Sequence, residues 1–63
     1  MALSDEEKQV ILQMLDELDE QVRRVVISSL DALAEWLMGA ASALYRKAKD
    51  MLYQLWQLLS SSF

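Results

Sequence analysis

The sequence predicts an all-α fold. Apolar residues recur at helical spacing along almost the whole chain, no stretch alternates long enough for a strand, and there is no proline to interrupt the pattern. One line of side chains runs Ile11, Leu15, Leu18, Val22, Val26, Leu30, Leu33, Leu37, Ala40, Leu44, Ala48, Met51, Leu55, Leu58, which is 13 steps over 47 residues. That is about 3.6 residues per step, the α-helical period. The opposite line, from Gln13 and Glu17 through Arg24, Ser28, Glu35, Gly39 and Arg46 to Ser60, holds no aliphatic residue.

The first helix has a marked start. Ser4 precedes Asp5, Glu6 and Glu7, so Ser4 can cap the first turn while Glu7 reaches back as the second half of a capping box. The three acids also favour the positive end of the helix dipole. Asp19 with Arg23, and Glu20 with Arg24, stand acid before base at i, i+4, the stabilising order. These pairs predict that the first helix continues through residue 24.

Two places can end it. Val25, Val26 and Ile27 followed by Ser28 and Ser29 form the stretch of lowest helix propensity. The branched side chains lose rotamer freedom and the serines compete for backbone hydrogen bonds. Ser28 with Asp31 three residues on reads as a new N-cap. The single glycine, Gly39, is a second candidate, with Ser42 capping the helix beyond it. The expected architecture is a two-helix antiparallel hairpin, about 4–27 and 29–60, pairing into a homodimeric four-helix bundle within one helical domain, 1–63. The alternatives are one continuous helix in an oligomeric bundle, or a break at Gly39. A continuous helix of ~57 residues would be about 85 Å long, and the 3.6-residue phase does run unbroken through both candidate breaks.

Apolar residues make up 54% of the 63-residue chain, and they are unevenly placed. Residues 5–24 carry a narrow stripe, whereas residues 30–59 add Ala32, Ala34, Trp36, Met38, Tyr45, Leu52, Trp56 and Leu59 around the seam. A helix apolar on most of its circumference has to be covered on more than one side. A chain this small buries only ~60% of the surface its unfolded form exposes. With no cysteine and no histidine, neither a disulfide nor an ordinary zinc or haem site can supply the missing stability. Self-association therefore becomes the expectation. Its predicted interface is Leu15, Leu18, Val22, Leu30, Leu33 and Trp36, continuing through Leu37, Ala40, Leu44, Met51, Leu55 and Trp56.

Ten acidic residues against six basic ones give a net charge of −4. Residues 1–20 hold seven of the acids against Lys8 alone. Binding to nucleic acid requires a surplus of positive charge, so this balance disfavours it. Arg46, Lys47 and Lys49 form a local basic cluster, and in a hairpin they fall beside the acidic first turn, where intramolecular charge matching accounts for them. Asp16 with Glu20, and Asp31 with Glu35, stand one turn apart as in carboxylate metal sites, but those sites also use histidine. No catalytic residue, cofactor site or metal site is expected, and the chain is read as a non-enzyme.

The acidic N-terminus does not read as a signal peptide. The longest uncharged windows, 51–63 and 36–45, fall short of the ~20 residues of a membrane span. The expected location is cytoplasmic. Trp36, Tyr45, Tyr53, Trp56 and Phe63 near the basic cluster make peripheral attachment to a membrane surface the competing reading. The expected function is a small acidic helical interaction module, an adaptor, inhibitor or assembly scaffold, with an unidentified protein partner. Absent proline, cysteine and histidine would also suit a designed or selected scaffold, although three consecutive β-branched residues and four methionines are not what idealised helix design favours.

Overall fold

The computed structural model describes residues 3–63. It is all-helical, with no strand among the described residues. The helices are α1 (Asp5–Asp16), α2 (Glu20–Val26), α3 (Leu30–Ala40), α4 (Ser42–Ala48) and α5 (Leu52–Ser62), with a 3₁₀ turn (Lys49–Met51) between the last two. The molecule measures 31 × 21 × 20 Å, so the seam folds back on itself and does not run out along one rod.

The capping box forms as the sequence implies. Glu7 N–H donates to Ser4 Oγ at 3.1 Å, and Ser4 N–H donates to Glu7 Oε1 at 2.9 Å. The expectation of one helix through residue 24 is not met: α1 ends at Asp16. Its last turn carries Asp16 and no basic residue, which opposes the negative end of the helix dipole. Asp19 leaves the helical conformation and its side chain accepts from Gln21 N–H at 3.2 Å, capping α2. This turn places Glu20 in the favourable first turn of a new helix. Of the two expected pairs, Glu20 meets Arg24 at 3.0 Å, while Asp19 serves as a cap. Arg23 instead leans toward the Leu18 carbonyl and stacks over the Phe63 ring, 4.7 Å from its centroid.

The break between α2 and α3 falls where propensity is lowest, but its cap is shifted by one residue. Ser29 Oγ accepts from Ala32 N–H at 3.1 Å, whereas Ser28 Oγ donates to the Val25 carbonyl at 2.7 Å. Gly39 lies inside α3, with no positive φ, and the break comes at Ala41. Ser42 is the first residue of α4 and does not cap it. The chain is thus a succession of short helices in place of two long ones.

α3 packs against α2, α4 and α5. The buried core comprises Leu3, Ile11, Leu15, Val26, Leu33, Leu37, Ala48, Leu55 and Leu59. All but Leu3 and Leu59 belong to the apolar line read from the sequence. Each fully buried leucine or isoleucine contributes about 1.5–3 kcal/mol relative to exposure. No buried polar or charged residue occurs among the described residues.

Candidate interaction surface

The chemistry-bearing side chains are dispersed. Among the described residues no group of three or more carboxylates gathers as a metal site, and no pocket is present. Asp16 and Glu20 fall on different helices, so their expected one-turn spacing is lost. Asp31 and Glu35 remain one turn apart on α3, both exposed.

The residues expected to form an interface divide into three groups. Leu15, Leu33, Leu37 and Leu55 are buried within the single chain. Leu18, Leu30, Trp36, Leu44, Met51 and Trp56 are half-buried. Val22 and Ala40 are exposed. The structure therefore brings most of the set together, but inside one molecule. The physical reason is the extra joints: four bends let one chain fold its own seam inward, which two long helices could not do.

The basic cluster behaves as the charge pattern implies. Lys47 Nζ donates to Glu7 Oε2 at 2.6 Å, linking α4 to the start of α1. Glu7 is held below its ordinary pKa, first by this hydrogen bond from Lys47 and next by the Ser4 backbone N–H. Lys47 and Arg46 also occupy the last turn of α4, where cations complement the helix dipole.

The aromatic side chains are engaged within the fold. Trp56 Nε1 donates to the Ile27 carbonyl at 2.9 Å, satisfying the backbone where α2 ends. Tyr53 packs against Trp56 with ring centroids 5.9 Å apart, and its hydroxyl accepts from Gln57 Nε2 at 3.0 Å. Both tryptophans are half-buried. No helix among the described residues is long and apolar enough to cross a membrane.

Among the described residues, the exposed large hydrophobics are Val10, Met38, Tyr53, Leu58 and Phe63, dispersed over the other helices and the C-terminus, and a pair of valines on α2. Val22 and Val25 lie three residues apart, on one side of the helix, with relative exposures of 47% and 65%. Leu18, in the connector between α1 and α2, is half-buried. Valine gains nothing on a solvated helix face, because its branched side chain loses rotamer freedom there. Sequence reading placed Val22 on the seam but missed Val25; its signal was a β-branched residue one turn from Val22. Comparison with protein-family models, curated proteins and solved structures finds no significant match.

Proposed function

We propose that the chain is a small acidic protein-contact module that self-associates and offers the α2 valine face to a protein partner. The observation that carries this reading is the apolar surface that one chain leaves outward: Val22 and Val25 on α2, Met38 on α3 and Leu58 on α5 are all exposed. Val22 and Val25 share one side of their helix, and apolar side chains grouped on a solvated face suit contact with another chain. The acidic surface of α1 adds long-range selection against acidic partners and anionic surfaces.

Neither catalysis nor a cofactor enters this reading. Its test is the solution mass by light scattering from micromolar to millimolar concentration. A mass rising above that of one chain supports self-association, and one-chain mass throughout overturns it. Val25→Lys leaves that mass unchanged if the α2 face is held for a different protein.

A further inference from the structure

Ala41 closes α3 and immediately precedes α4, and it alone leaves the helical conformation there, at φ −155° and ψ 77°. Helical hydrogen bonds reach it from both sides. Ala41 N–H donates to the Leu37 carbonyl at 2.8 Å, and the Ala41 carbonyl accepts from Tyr45 N–H at 3.0 Å. The bend is therefore confined to the dihedral angles of one residue.

No capping side chain holds this bend. The joints before α2 and α3 are capped by Asp19 and Ser29, whereas α4 has no side-chain cap. Straightening at Ala41 would give the N–H groups of Ser42, Ala43 and Leu44 the carbonyls of Met38, Gly39 and Ala40, one turn back, as acceptors. The residues around it, Gly39-Ala40-Ala41-Ser42-Ala43, include no proline, and no residue there has a positive φ. The fused helix, residues 30–48, would be about 28 Å long.

We propose that this chain dimerises by exchanging α4 and α5 about Ala41, a reading that rests on the self-association proposed above. Opening the bend carries α4 and α5 away from α1–α3 and uncovers Leu33, Leu37, Ala48 and Leu55. A second copy opened in the same way supplies the complementary surface, and the two exchanges are related by a twofold axis. Three tertiary contacts span the hinge in the closed chain: Glu7 with Lys47, the Ile27 carbonyl with Trp56, and Arg23 with Phe63. In the exchanged dimer each forms between copies. The continuous phase through Leu37, Ala40, Leu44 and Ala48 keeps one apolar face along the fused helix.

Because the chain has no cysteine, the test can place thiols at will. Glu7→Cys and Lys47→Cys are made in separate chains of different mass tag, unfolded together, refolded at high concentration, and the dimer fraction is treated with a short bis-maleimide. Exchange predicts a cross-linked product containing one chain of each kind. Arg23→Cys with Phe63→Cys repeats the test at the far end of α5, should the first pair fail to refold by circular dichroism. Ser42→Pro completes it. Proline fits the first position of α4 but removes an N–H that the straight helix needs and disfavours helical geometry at Ala41. The expected result is a helical chain of one-chain mass at every concentration. A dimer that forms without inter-chain links at either pair, or that persists in Ser42→Pro, overturns the exchange while leaving self-association standing. One-chain mass for the unsubstituted protein overturns both.

Discussion

Lys47 reaches across forty residues to place its Nζ 2.6 Å from Glu7 Oε2, while the other oxygen of the same carboxylate accepts the Ser4 N–H at 2.9 Å. One side chain thereby closes the first turn of α1 and ties that turn to α4. The local half of this arrangement is written in four consecutive residues, Ser4 to Glu7. The long-range half depends on how the helices return, and only the folded chain shows it.

This carboxylate gives the fold a defined response to acid. Its two donors stabilise the charged form, so the folded-state pKa of Glu7 lies below the ordinary 4.5. The stability this contributes is fully present above the unfolded-state pKa and is lost as pH falls through the lowered folded-state value. Glu7→Gln keeps an acceptor for the Ser4 N–H but removes the charge. Urea midpoints of the two proteins should therefore differ at about pH 7, with the native chain higher, and converge as pH falls through the lowered folded-state pKa. A difference that stays constant across this range would show that Glu7 acts only through packing.

The caps at the second joint make a sharper comparison. Ser29→Ala removes the acceptor for Ala32 N–H and should cost about 1 kcal/mol. Ser28→Ala removes only a hydroxyl that donates to an exposed carbonyl on Val25; that carbonyl also accepts the Ser28 backbone N–H, so the change should stay within about 0.5 kcal/mol. Chemical denaturation of both variants checks the register of the cap. A larger loss in Ser28→Ala than in Ser29→Ala would place the cap at Ser28, as the spacing to Asp31 first suggests.

The apolar line makes a third prediction, because its members have unequal surroundings. Leu37 is fully buried and Leu58, on the same line, is 40% exposed. Leu37→Ala should cost about 2–5 kcal/mol, comparable to the whole stability that a core of this size supplies, roughly 3–5 kcal/mol. That variant should lose most of its helical circular dichroism at room temperature, whereas Leu58→Ala should retain it. Comparable losses from both would mean that Leu58 is covered in solution by another molecule.

Periodicity decides how much of the fold was legible in the sequence. The line from Ile11 to Leu58 named most of the core, because burial selects one face of a helix whichever way the helix later turns. The joints were less legible, since each is decided by competition between local signals of similar size. Asp19 can pair with Arg23 one turn on or cap the helix that contains it, and each is worth on the order of 1 kcal/mol or less. The cap wins here because it also relieves the acidic end of α1. The bend at Ala41 left no sequence signal at all, since alanine favours the helix it interrupts. Gly39 drew attention two residues too early, and nothing lies within 4 Å of where its side chain would begin. For the interface the difficulty was different: periodicity marks the face that is covered but does not say whether the same chain or another covers it.

Trp56 supplies the last prediction. Its indole N–H, 2.9 Å from the Ile27 carbonyl, satisfies a backbone acceptor at the point where α2 stops, and the ring itself packs against Tyr53. Trp56→Phe retains most of the apolar contact but leaves that part-buried carbonyl without its donor, which should cost about 1–3 kcal/mol. The partner variant, Ile27→Val, trims one methylene of a half-buried side chain and leaves the carbonyl in place, so its effect should be smaller, about 0.5–1.5 kcal/mol at most. Amide hydrogen exchange distinguishes the two. Loss of the indole donor should loosen the end of α2 and the start of α3 together, because Ile27 lies between them, whereas Ile27→Val should leave their protection near that of the native chain. Unchanged protection in Trp56→Phe would show that the indole bond does not hold this joint.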